Sequence, residues 1–139
     1  MIGTSVICGT VLIHVLFISA LGHVLTKNGD WIAKPPYLLK HIFTLVGMVL
    51  WLVAGLTASC WLWASVYLVN GVFEQLEPAL YFTVVTFTTL GYGDIILGNE
   101  WRLLASLTAV NGLIVFGLNT AFLVEALSRI NKAQETGIE

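Results

Sequence analysis

Thr88-Thr89-Leu90-Gly91-Tyr92-Gly93-Asp94 is a polar and glycine-rich run set between two apolar segments of the chain. Where a chain crosses a bilayer, such a position normally holds more helix, because non-helical backbone at membrane depth is tolerated only when buried in protein or lining a path. A cation leaves water only if oxygen dipoles replace its hydration shell, and consecutive backbone carbonyls are the densest source of them. Aiming those carbonyls one way demands alternating signs of backbone φ, which glycine tolerates and branched side chains do not. Gly91 and Gly93, two apart, meet that demand. The carbonyls of Thr89, Leu90, Gly91 and Tyr92, with the Thr89 hydroxyl below them, then make a column of oxygen rings wherever several chains meet on an axis.

Composition agrees with a bilayer setting. The chain has 139 residues, 58% of them hydrophobic and only 10% charged, with a mean hydropathy of +0.90. That is too apolar for a soluble domain and reads as one integral membrane domain. A formal net charge of -2 and the absence of any basic run argue against nucleic acid as a partner. The sequence contains no His/Cys ligand cluster, no nucleophile–base constellation and no phosphate-binding glycine loop, so neither an enzyme, an enzyme substrate nor an organic cofactor is expected. Cys8 and Cys60 read better as buried thiols than as a disulfide.

Outward from the glycine run, each flank reads as helix. Pro78 after Glu77 marks the first turn of a short helix with an acidic residue at its positive end, over 78–88. It is too short to span, so its C-terminal carbonyls stop inside the membrane and favour a cation there. Ahead of it, residues 42–73 carry no charge and predict a helix of about 48 Å, more than a hydrocarbon core of about 30 Å, so it must tilt or protrude. Trp61, Trp63 and Tyr67 near its end read as an interfacial aromatic belt. Residues 1–26 hold no Asp, Glu, Lys or Arg and read as a further spanning helix, since the basic n-region of a signal peptide is missing. Between these two spans, residues 27–41 join charges to the Pro35–Pro36 pair and read as a linker. On the far side, 101–128 reads as one more helix, followed by a short tail, 129–139.

The run resembles the Thr-Val-Gly-Tyr-Gly-Asp filter of the tetrameric potassium channels, with Leu90 in place of the valine. The resemblance extends over 42–128 and is to the prokaryotic type with a two-helix pore: outer helix 42–73, pore helix 78–88, filter 89–94 and inner helix 101–128. It implies an all-α membrane protein with three transmembrane helices, a re-entrant pore helix and an extended filter, assembled as a homotetramer among membrane lipids. It also implies K⁺ ions coordinated by the carbonyls of Thr89, Leu90, Gly91, Tyr92 and Gly93 and by the Thr89 hydroxyl. A pore of this family is complete without a helix like 1–26, which is therefore expected on the lipid side of the outer helix.

Several family positions differ here. Tyr81 and Phe82 stand where many relatives carry two tryptophans bracing the filter; Phe82 has no donor, which leaves Thr86 as a partner for Tyr92. Val85 replaces a glutamate that pairs in some relatives with the aspartate after the filter, which makes the Tyr81 hydroxyl the expected partner of Asp94. For Thr83 and Thr86, hydroxyls bonded back within the helix are the plainer reading. On the inner helix Gly112 aligns with a hinge glycine, although close packing explains a glycine there equally well, and Phe116–Gly117 follow one turn on. Leu113, Phe116 and Thr120 face the cavity by the same alignment. Glu125 either rings the inner mouth or pairs with Arg129 four residues on.

With the filter mouth outside, Lys27, Lys34, Lys40, Arg129 and Lys132 are cytoplasmic and only Arg102 is not, which obeys the positive-inside rule. The N-terminus is then outside, the C-terminus cytoplasmic, and the membrane, by the resemblance, a prokaryotic inner membrane. Glu74, Glu77, Asp94 and Glu100 gather at the outer mouth, each also readable as solvated loop. Spaced arginines are absent, so no voltage sensor of the usual kind is expected, and His14, His23 and His41 read as bonded to neighbours rather than as sensors. The function this resemblance implies is passive, K⁺-selective conduction. The alternatives are a cation pore that also passes Na⁺, and a non-conducting subunit that modulates other channels.

Overall fold

Residues 2–29 and 37–136 are described by the computed structural model. Among them the chain forms four α-helices and no strand: α1 (Ile2–Lys27), α2 (Tyr37–Val69), α3 (Leu76–Phe87) and α4 (Arg102–Thr136). The all-helical membrane architecture expected from the sequence is present, with three helices long and apolar enough to cross a bilayer. At 1.5 Å per residue α1, α2 and α4 measure about 39, 50 and 52 Å, and α3 about 18 Å, so only α3 falls short of a core of about 30 Å.

Contacts fix the directions of the long helices. Gly3 lies against Leu104 and Leu107 at one end of α4, and Leu21 joins Ala126 and Ile130 in a buried cluster at the other, so α1 and α4 run parallel. His14 meets Ser59 and Phe17 meets Trp51, so α2 is antiparallel to α1. α1 thus packs on both α2 and α4, not on the lipid side of the outer helix alone. The residues that allow this, Gly3, Val6, Thr10, His14 and Leu21, share one face and are buried.

Helix ends depart from the sequence expectation for identifiable reasons. α2 stops at Val69 rather than residue 73 because Asn70-Gly71 closes it: Gly71 takes φ +69°, its amide donates to the Leu68 carbonyl, and the Val72 amide donates to the Tyr67 carbonyl. This is a Schellman cap, and only glycine adopts its left-handed position without strain. At its other end α2 begins at Tyr37, so 37–41 is helix rather than linker; Pro35 and Pro36 lie outside the described residues. α4 runs on to Thr136, past the expected end at 128, since Ala126 and Ile130 continue its buried face and Arg129 pairs back to Glu125.

The main core surrounds α3. Trp63 and Tyr67 are fully buried there, and of the expected aromatic belt only Trp61 is exposed. Spaced four apart, Trp63 and Tyr67 turn inward together, and Tyr67 meets Phe73 and Phe82 edge-on at 6.0 and 5.5 Å. Tyr67 also donates to the Thr108 hydroxyl at 2.6 Å, because the Thr108 proton is committed to the Leu104 carbonyl. One side chain therefore joins α2, α3 and α4. Both cysteines are free thiols, Cys60 buried and Cys8, contrary to expectation, exposed.

Candidate functional site

α3 begins at Leu76 after Gln75, with Glu77 and Pro78 in its first turn, and ends at Phe87. Phe82 pins it to Tyr67 and Phe73, and its last carbonyl is pinned from the other side: at Gly112 of α4 any Cβ would collide with the Phe87 carbonyl oxygen. The short helix is thereby held at both flanks, which sets where the glycine run must start.

Beyond α3 the backbone turns back on the helix end. The Thr89 amide donates to the Thr86 carbonyl at 3.0 Å, and the Leu90 and Gly91 amides both donate to the Val85 carbonyl, at 3.0 and 3.2 Å. In a trans peptide the N–H and the C=O point opposite ways. With three consecutive amides aimed into α3, the carbonyls of Thr88, Thr89 and Leu90 are aimed together away from it. The dihedrals follow suit: Thr89, Gly91 and Gly93 have φ of +60°, +55° and +80°, while Leu90 and Tyr92 between them do not enter the positive region. Thr89 is the sole non-glycine residue with positive φ among those described, a conformation that costs roughly 1–2 kcal/mol. Three hydrogen bonds at about 1 kcal/mol net each offset that strain.

Around this segment the structure unites some of the expected residues and separates others. The Tyr81 hydroxyl donates to Asp94 Oδ2 at 2.6 Å. That bond, helped by the amides of Asp94 and Ile95, holds the Asp94 carboxyl below its ordinary value. Val85 is buried, and its carbonyl is the shared acceptor described above. Thr86 is not bonded to Tyr92, whose ring is 67% exposed in the single chain, nor does its hydroxyl bond back along α3; Thr83 does, to the Ala79 carbonyl at 2.8 Å. The Thr88 hydroxyl, given no role of its own in the sequence reading, bonds back to the Val84 carbonyl at 2.7 Å and so ties the first turn of the run to the helix.

On α4, Leu113, Phe116, Gly117 and Thr120 are all exposed and, at i, i+3, i+4 and i+7, form one face. Gly112 points the other way and is buried against Phe87, so of the two readings its surroundings favour close packing; Gly117 has open space around it. Glu125 accepts from Arg129 Nε at 2.7 Å, which realises the ion-pair reading of that residue.

The sequence reading missed a second set of contacts. Asn111 Nδ2 donates to Thr10 Oγ1 at 2.6 Å, and the His14 Nδ1–H donates to the Thr10 carbonyl at 3.0 Å with the Ser59 hydroxyl 3.3 Å away. All four side chains are fully buried. Their signal was available: uncharged polar residues inside apolar spans face the protein interior rather than lipid.

No solved structure matches the chain. A family model described as ion channel matches residues 48–129, more than half of the length. The match runs from the middle of α2 through α3 and the glycine run to α4, and leaves α1 outside. With its three apolar spans, its half-length helix and the backbone that turns at the end of that helix, this chain is an integral membrane protein and belongs to that family of ion channels, which includes potassium channels.

Proposed function

We propose that four copies of this chain surround a common axis and conduct K⁺ selectively and passively, through rings formed by the carbonyls of Thr89, Leu90, Gly91, Tyr92 and Gly93 with the Thr89 hydroxyl beneath. The observation that carries this reading is the alternation of φ through 89–93, with the amides of Thr89, Leu90 and Gly91 turned into α3 and the carbonyls of Thr88, Thr89 and Leu90 turned away. Carbonyls aligned in this way replace a hydration shell without rearranging when the ion arrives. α3 directs its C-terminal dipole toward the same axis, a stabilising end for a cation waiting below.

Assembly is supported by what a single chain leaves uncovered. Leu90 and Tyr92 on the glycine run are 55% and 67% exposed and are covered by neighbouring copies, and the exposed α4 face turns toward the common axis. Leu113, Phe116, Gly117 and Thr120 then line the cavity below the filter, while Phe82, Val85, Thr86 and the Tyr81–Asp94 pair brace the filter from behind. In the membrane the filter mouth faces outward with Asp94 at its rim, the N-terminus lies outside, and the C-terminal end of α4 with Arg129 and Lys132 is cytoplasmic.

The test is a planar-bilayer recording from the purified protein with K⁺ on one side and Na⁺ on the other. A reversal potential close to that for K⁺ alone is expected. A reversal near zero means a pore that passes Na⁺ as well. Absence of current means a non-conducting subunit. Either of these two outcomes overturns the proposal.

A further inference from the structure

α1 is outside the family match, yet it is bonded to the inner helix at the most consequential point of the molecule. Its contacts with α4 run from end to end: Gly3 sits so close to Leu107 that a Cβ there would lie 2.5 Å from Leu107 Cδ1, Thr10 meets Asn111 midway, and Leu21 packs with Ala126 and Ile130 below. The middle contact differs from the other two in kind. Thr10 Oγ1 donates to the Ile7 carbonyl at 2.8 Å and accepts from Asn111 Nδ2 at 2.6 Å, with both side chains fully buried. His14 and Ser59 extend the cluster onto α2. The next residue after Asn111 is Gly112, whose backbone bears directly on the Phe87 carbonyl at the end of α3, two residues before the filter.

We propose that α1 is a built-in clamp on the pore, in which Thr10, its carbonyl bonded by the His14 ring, holds Asn111 so that α4 stays pressed on the foot of α3. This rests on the channel reading above. Thr10 and Asn111 are positioning residues: neither supplies a filter oxygen, and both act through the Gly112–Phe87 contact. Because an inner helix that moves against α3 must break the Thr10–Asn111 bond or carry α1 along, the bond biases the channel between its conducting and non-conducting conformations. Inside a bilayer, water does not compete for the freed amide, so the bias persists in every copy of the assembly.

Single-channel recordings of the intact protein in lipid bilayers test this with Thr10→Val, Thr10→Ser, Asn111→Leu and the Thr10→Val/Asn111→Leu pair. T10V keeps the side-chain volume and removes the acceptor. Its expected effect is a change in open probability of about three-fold or more, the size that an intramembrane hydrogen bond commands, with unit conductance unchanged. T10S restores the wild-type value, and the double variant changes no more than either single variant, since both remove one bond. A bond that only adds to the stability of the fold lowers the melting temperature and leaves the open probability of each assembled channel as it was. That result overturns the clamp, as does additivity in the double variant. If N111L does not assemble, T10V and T10S alone decide, because Thr10 is on the helix outside the pore module. Wild-type current with unchanged T10V gating sinks the clamp and spares the channel reading; absence of wild-type current sinks both.

Discussion

Gly91, at φ +55°, occupies a conformation that a Cβ makes costly by roughly 1–2 kcal/mol, although no neighbouring atom of the same chain obstructs it. Gly91→Ala is therefore expected to abolish K⁺ flux while the protein still assembles, as checked by flux into vesicles beside size-exclusion chromatography. Gly112 presents the reverse situation, an ordinary helical φ with no room. Gly112→Ala is expected to destabilise the fold by about 1–3 kcal/mol, because the Phe87 backbone cannot yield as a side chain would, whereas Gly117→Ala costs nothing; thermal melts of the two variants compare them directly. For the Tyr81–Asp94 pair the sign of the pH dependence follows from a lowered carboxyl pKa: the pair is fully formed above the ordinary aspartate value of 3.8 and is lost as pH falls through the depressed one. Tyr81→Phe is expected to return the Asp94 titration toward 3.8, measured by its infrared carboxylate band. At this scale the sequence was informative where the chemistry is local. The spacing of Gly91 and Gly93 announced alternating dihedrals, and loss of the usual donors around Asp94 pointed to Tyr81. The positive φ of Thr89 was not legible, because a β-branched residue disfavours it and only the amides bonded to Val85 and Thr86 impose it.

Elements were legible in their existence and less so in their ends. Charge-free runs marked all three spans, since nothing else in a sequence accounts for twenty apolar residues in a row. The stop of α2 lay in Asn70-Gly71, a turn dipeptide hidden inside an apolar run, and the extension of α4 lay in the repeat of Ala126 and Ile130 beyond Glu125. Trp63 and Tyr67 were misread because aromatic residues near a helix end suit both an interface and a core. What decides between them is the partner helix, and here α3 brings Phe82 to them. Tyr67 is consequently the joint of three helices, and Tyr67→Phe tests it. Loss of the bond to Thr108 is expected to cost about 0.5–1.5 kcal/mol, the lower part of the range if the Thr108 hydroxyl keeps its bond to Leu104, as read from chemical or thermal unfolding in detergent.

At the scale of the whole molecule, the proposed function makes one chain a quarter of a pore. Its Leu90, Tyr92 and α4 face stand open, whereas two buried apolar clusters join the helices behind them. Thr10 and His14, polar groups inside an apolar span, hinted that α1 has an inward face, but not which helix meets it, because resemblance to a family stops where the shared module stops and the Thr10–Asn111 contact joins residues about a hundred positions apart. The central claim is that identical neighbours bring their aligned carbonyls to one axis and hold dehydrated K⁺ between them. Anomalous diffraction from crystals of the assembled protein soaked in Tl⁺, a K⁺ mimic, tests it most directly. A row of discrete peaks on a four-fold axis at the level of residues 89–93 is the predicted result. A monomeric protein in the crystal, or a four-fold axis with no density at that level, contradicts it.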